Sequence, residues 1–236
     1  MDTYTTTFGN SAADALPAER AAFIRKTYAH LAGAVLLFVL LESYLVISGA
    51  GLKMAVTMLG GRFSWFIVLA AFMGVSWLAN WWANSQTSRP LQYMGLLLYV
   101  VAETILFLPL IFLAQVKTGD ASLIGKAGVV TLGLFAGLTA VVFLSRKDFS
   151  FLGPILAIAG FAALGLIGAS LLFGFSLGNL FAFAMVVFAG GAILYDTSNV
   201  LHRYRTDQHV AASLSLFASV ALLFWYILRI FMSSRD

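Results

Sequence analysis

Residues 92–115 read QYMGLLLYVVAETILFLPLIFLAQ. One charge, Glu103, interrupts an apolar run longer than the roughly 20 helical residues that cross the hydrocarbon core of a bilayer. Six further stretches have the same character. Membrane spans are therefore expected at 28–48, 63–84, 92–115, 125–144, 151–173, 177–197 and 210–232. The whole chain is 61% hydrophobic and only 10% charged, where a soluble domain carries about 25% charged residues. A water-soluble globule is excluded. The fold class is an all-α membrane protein with seven transmembrane helices.

Outside the spans little is left. Residues 1–22, rich in Thr, Ala and Ser, read as a flexible N-terminal tail in which Pro17 and Glu19 open a short helix toward Arg25–Lys26. Residues 23–236 form the transmembrane domain. The longest connections, 49–62 and 116–124, contain Gly and polar residues, as loops do. No cleavable signal peptide is expected, because the first apolar run is long enough to span. Cysteine is absent, which removes disulfides, thiolate metal sites and Cys nucleophiles. The net charge of +4 is spread over loops, so a nucleic-acid partner is not expected. The one certain environment is membrane lipid, and the oligomeric state is left open.

Orientation follows Lys and Arg. With the N-terminus inside, the inner segments hold Arg20, Arg25, Lys26, Arg89, Arg146, Lys147, Arg203 and Arg205. The outer segments hold Lys53, Arg62, Lys117, Lys126, Arg229 and Arg235. The excess and the clustering both favour a cytoplasmic N-terminus and an external C-terminus. Gly133 and Gly137 in the fourth span, and Gly160, Gly165 and Gly168 in the fifth, read as sites of close helix approach.

Charges inside spans need a reason, since a central carboxylate costs about 2.5–3.5 kcal/mol on the translocon scale. Glu103 has two readings, a proton or cation site facing the bundle interior, or a carboxyl hydrogen-bonded to a neighbouring helix. Pro109, six residues on, breaks the ladder of the same helix. Glu42 lies in the outer half of the first span, near the headgroups. Asp196 sits in Tyr195-Asp196-Thr197-Ser198-Asn199 at the end of the sixth span. It is either a helix-end polar group or a protonation-sensitive gate, and it has Arg89, Arg203 and Arg205 as available partners. In the seventh span Ser215, Ser219, Tyr226 and Arg229 share one face. A polar stripe must avoid lipid, so this helix is expected to be central or to line a cavity. Arg229 either snorkels outward or pairs with Glu42. No H-E-x-x-H, Walker A or Rossmann pattern occurs, so the chain is not read as an enzyme and no cofactor is expected.

With these residues in view, the chain resembles the Bax inhibitor-1 family of seven-helix membrane proteins. Three segments carry the likeness: Phe23-Ile24-Arg25-Lys26-Thr27-Tyr28, Ser145-Arg146-Lys147-Asp148-Phe149-Ser150-Phe151-Leu152-Gly153, and Gly191-Ala192-Ile193-Leu194-Tyr195-Asp196-Thr197-Ser198-Asn199. The resemblance implies a central seventh helix wrapped by six. In calcium-leak members a pair of acids, one in the sixth helix and one in the seventh, forms a pH-sensitive gate. Asp196 matches the first position, and the second falls on Ser219. Calcium is thus implied as a transported or sensed ion, with Asp196 its candidate ligand and Arg89 the candidate for the basic latch. The bacterial YccA-like group, modulators of the membrane protease FtsH, resembles this chain more closely at its C-terminal end, including Ser219 and the terminal Ser234-Arg235-Asp236. That likeness implies an inner-membrane regulator that binds the FtsH complex, with a leak channel as the alternative.

Overall fold

Among the described residues there are eight helices, seven of them formed by the apolar stretches. The computed structural model describes residues 11–61, 64–120 and 122–234. Along the chain lie α1 (Pro17–Ile47), α2 (Ala50–Leu59), α3 (Ser64–Ala83), α4 (Arg89–Thr118), α5 (Ser122–Ser145), α6 (Leu152–Phe173), α7 (Gly178–His202) and α8 (His209–Ser233). All except α2 are long and apolar enough to cross a membrane. Local signals set the ends. The Ser88 side chain accepts from the Leu91 amide to cap α4, with proline in its first turn. Gly119, at φ 61°, ends the same helix in the left-handed conformation that a side chain disfavours. α4 runs through Pro109 unbroken; the missing N–H leaves the Ile105 carbonyl without its ladder donor.

Helix α8 is the axis, as its polar stripe predicts. Of its most apolar window 72% is buried, against 6% for α6. Around it pack α1, α3, α4, α5 and α7, while α6 packs against α7 at the periphery. Aromatic rings lock the centre. Phe38 of α1 meets Phe107 of α4 edge-on at 5.1 Å and Phe217 of α8 at 6.0 Å. Phe107 in turn stacks on Phe224 at 5.6 Å. Such offset and edge contacts add about 0.5–1.5 kcal/mol each beyond area burial.

Three expectations are corrected. The segment 49–62 is not all loop: α2 occupies Ala50–Leu59. Its Gly51, Ala55 and Met58 are buried at helical spacing, yet ten residues reach only about 15 Å, too short to span. The short helix expected to open at Pro17 is continuous with the first span. Residues 1–10 lie outside the described residues, but α1 starts at Pro17. Upstream, Ala12 is fully buried and donates its amide to the Tyr204 carbonyl at 2.8 Å. Among the described residues this bridge, Ser11 to Arg205, is the only extended pairing. The packing glycines are also displaced. A Cβ built on Gly133, Gly137, Gly165 or Gly168 meets nothing within 4 Å, and one on Gly160 makes only ordinary contact with Phe188. Close approach occurs at Gly95 of α4 instead, where a Cβ would lie 2.5 Å from the Ala79 carbonyl oxygen and 2.6 Å from the Ala83 nitrogen of α3.

Gly95→Val is therefore expected to destabilise the bundle by about 1–3 kcal/mol, the range for overpacking. Gly133→Ala should be neutral or stabilising by up to about 1 kcal/mol through helix propensity. Thermal unfolding in detergent ranks the two, and equal losses would refute the assigned contact.

Candidate functional site

Burying α8 brings its polar side chains against polar partners from three other segments. At its amino end Tyr204, on the α7–α8 connection, shares a hydrogen bond of 3.0 Å with Ser215. Burial pushes the Tyr204 hydroxyl up to about 12, so it stays neutral and able to donate. One turn further along α8, Ser219 donates to the Asp196 carboxylate of α7 at 2.6 Å. Beyond it, on α4, the Tyr99 hydroxyl is in hydrogen-bond reach of Glu103 and close enough to feel the charge of Asp196. Tyr99 thus pairs with Glu103 and lies within electrostatic range of Asp196, which puts both acids among the polar groups beside α8. Glu103 is 5% exposed and Ser219 7%, whereas Asp196 remains partly open.

Among the residues singled out from sequence, Asp196 and Ser219 are in direct contact. Glu103 finds Tyr99, its neighbour at i−4, the spacing that puts two side chains on one helix face. That spacing was visible in the sequence, but a tyrosine in an apolar helix is common and carries no signal by itself. The arginine partners expected for Asp196 are not there. Arg205 bonds Asp207 at 3.0 Å, and the Arg89 charge also acts on Asp207. The Glu42–Arg229 pair does not form either. Glu42 continues the buried stripe of α1 after Phe38, and neither carboxylate oxygen has a hydrogen-bond partner. Arg229 instead lines a cavity at the carboxyl end of α8.

Asp196 is the candidate calcium ligand that the resemblance implies. Calcium takes six to eight oxygen ligands, and among the described residues no group of three or more His, Cys, Asp or Glu side chains converges.

The loop before α6 is tied to the same end of α7. The Ser198 hydroxyl, two residues past Asp196, accepts from the Phe149 amide at 2.9 Å and donates to Asp148 at 3.2 Å. Asp148 also accepts from the Ser150 amide at 2.8 Å. That amide bond, with help from the Ser150 and Ser198 hydroxyls, holds the carboxyl below its ordinary value. The lock's contribution is therefore complete above about pH 4 and is lost as pH falls through the lower folded value.

Ser198→Ala should speed exchange of the Phe149 amide by about two- to tenfold, the worth of one net hydrogen bond. Acidification below pH 4 should lower the protection of that amide relative to its intrinsic exchange rate in the parent chain. Hydrogen–deuterium exchange reads both, and unchanged protection would show that the loop is held by other contacts. Ser219→Ala leaves Asp196 without its bonded donor and should lower stability by about 1–3 kcal/mol, measured by thermal unfolding in detergent.

Comparison with known proteins places this arrangement. Residues 20–236 match the family described as "Inhibitor of apoptosis-promoting Bax1". The "Bax inhibitor 1" of Schizosaccharomyces pombe is 33% identical over 172 residues, 70% of this chain and 61% of that protein. The chain thus spans less than two thirds of that relative's length. An uncharacterised Pseudomonas aeruginosa protein is 31% identical over 70% of this chain and 73% of its own length. The "Golgi anti-apoptotic protein" of Vaccinia virus (strain Lister) is 30% identical over 94% of this chain and 90% of its own length. With the match running from early α1 to the last residue, this multi-pass membrane protein belongs to the Bax inhibitor-1 family.

Proposed function

We propose that the chain is a pH-responsive cation-leak protein of the Bax inhibitor type, with Asp196 as its proton-sensing group and Glu103 as its mid-membrane group. One observation carries this reading: the run of polar groups from Tyr204 and Ser215 through Asp196 and Ser219 to Tyr99 and Glu103, inside an otherwise apolar bundle. Intramembrane acids on a bundle interior are costly and mark ion or proton paths. With the N-terminus cytoplasmic, as the distribution of Lys and Arg favours, Asp196 faces the cytoplasmic half of a bacterial inner membrane. The path is closed in this conformation. Phe107, one turn beyond Glu103, packs against Phe38, Phe224 and Trp225, and an apolar constriction of that kind blocks ions by excluding water.

The resemblance placed regulation of the protease FtsH first, and this remains the second reading. It is favoured by the docking of Ala12 on Tyr204. A partner that grips the N-terminal segment would pull directly on the residue bonded to Ser215. The names of the fungal and viral relatives speak of Bax inhibition and anti-apoptosis. The reading carries no catalytic step.

Calcium flux into proteoliposomes is the deciding measurement, taken across about pH 6 to 8. Flux above empty vesicles is expected, with Asp196→Asn flattening its pH dependence and Glu103→Gln lowering its rate. No flux above empty vesicles would sink the leak reading. Co-purification with FtsH that is lost on deleting residues 1–16 would then support the regulator.

A further inference from the structure

Helices α1 and α4 carry the same pattern near their amino ends. Lys26, His30, Gly33 and Leu37 follow one another on α1 at steps of four, three and four residues, and Arg89, Tyr93, Leu96 and Val100 do the same on α4. Such steps hold each set on one helix face, and the two faces meet. The His30 and Tyr93 rings lie 5.5 Å apart. With Gly33, Leu37, Leu96 and Val100 they line a cleft of about 300 Å³, and among the described residues lining it there is no carboxylate. A Cβ built on Gly33 meets nothing within 4 Å. Gly33 and its neighbour across the cleft, Leu97, are exposed, so the cleft is open to hydrocarbon.

The mouth of the cleft is basic. His209, buried at the start of α8, lies 5.0 Å from the His30 ring, and its Nε2 is 3.4 Å from the Tyr93 hydroxyl. His30 is held by its Nδ1, which donates to the Lys26 carbonyl at 2.7 Å. The charges of Lys26 and Arg89 both act on His209, which sets one cation from each helix beside the same cluster of rings. Asp207, which His209 and Arg89 both feel, is already bonded by Arg205 at 3.0 and 3.1 Å. Neither Lys26 nor Arg89 makes an ion pair among the described residues. Cations outermost, amphipathic rings next and an apolar cleft beneath follow the order of phosphate, glycerol and acyl chain in a phospholipid. The excess of Lys and Arg assigns this end to the cytoplasm, the side on which basic pockets between helices take anionic headgroups.

We propose that the cleft between α1 and α4 binds one anionic phospholipid, its phosphate between Lys26 and Arg89 and an acyl chain against Gly33. Full-length protein in non-ionic detergent is titrated with short-chain phosphatidylglycerol, and separately with phosphatidylcholine of the same chain length. Calorimetry and native mass spectrometry read the binding. Saturable binding of phosphatidylglycerol is expected, about tenfold or more tighter than that of phosphatidylcholine. Lys26→Gln and Arg89→Gln should each weaken it about fivefold, the worth of one basic residue beside anionic lipid. Gly33→Leu fills the cleft where no protein atom stands in its way and improves helix propensity. It should keep the fold, checked by thermal unfolding, and weaken phosphatidylglycerol about tenfold or more, the scale of an overpacked contact. Lys147→Gln, on the loop before α6, should leave the affinity unchanged. Absence of saturable phosphatidylglycerol binding by both methods overturns the proposal, as does equal affinity for the two lipids. Unchanged affinity in the double variant Lys26→Gln/Arg89→Gln or in Gly33→Leu also overturns it. So does an equal loss in Lys147→Gln, which would mean diffuse attraction to the whole basic end. Should Gly33→Leu not fold, Gly33→Val carries the same test of the chain.

Discussion

A polar group in a bilayer has no water to turn to, so it must find its partner within the protein. That constraint organises this molecule. Ser213, Ser215 and Ser219 of α8 cannot face lipid, and each finds a partner inside. Ser213 donates to the Thr27 carbonyl of α1 at 2.8 Å, Ser215 bonds Tyr204 and Ser219 bonds Asp196. Meeting all three demands at once places α8 among α1, α7 and their neighbours. The apolar remainder of the chain then serves as the wall. α6, which has almost no buried residues, stands at the other extreme.

The partner that α8 offers Asp196 is a hydroxyl, Ser219, rather than a second acid. Two carboxylates at hydrogen-bond distance would contend for a proton and couple strongly. A hydroxyl instead donates to Asp196 and holds it in place. The second acid of this chain, Glu103, stands on another helix and pairs with Tyr99. The polar run is therefore longer and more weakly coupled than an acid pair. Phe107, i+4 from Glu103 on the same helix, stands between it and the cavity at the other end. The Asp148–Ser198 lock and the Ala12–Tyr204 contact both bear on residues within a few positions of this site, so the loop and the N-terminal segment are mechanically joined to it.

Much of the fold was legible in the residues. Apolar length alone marks the seven crossings, and the four-residue spacing of Ser215 and Ser219 marks α8 as the one that must be covered. Asp196 and Ser219 were also singled out from the sequence, and the structure brings them into contact. Other features were not. The apolar run of α2 is too short to announce itself as a span, and its glycine flanks resemble a loop. The glycines of α5 and α6 look like a packing motif, but lipid is as apolar as a neighbouring helix and does not tell the two faces apart. Glu42 and Arg229 lie in the same half of the membrane, which permits a pair without requiring one.

The sequence by itself determined the number of crossings, the helical class and the centrality of α8, because each follows from the cost of exposing polar groups to hydrocarbon along a single segment. Only the tertiary structure decided which polar groups meet: Ser219 with Asp196, Tyr99 with Glu103, Ser198 with the Asp148 loop, and Arg229 with an open cavity rather than with Glu42. Those choices depend on helix rotation and register between segments up to about two hundred residues apart, and an apolar surface that faces lipid on one side and protein on the other leaves no pattern in the chain from which rotation can be read.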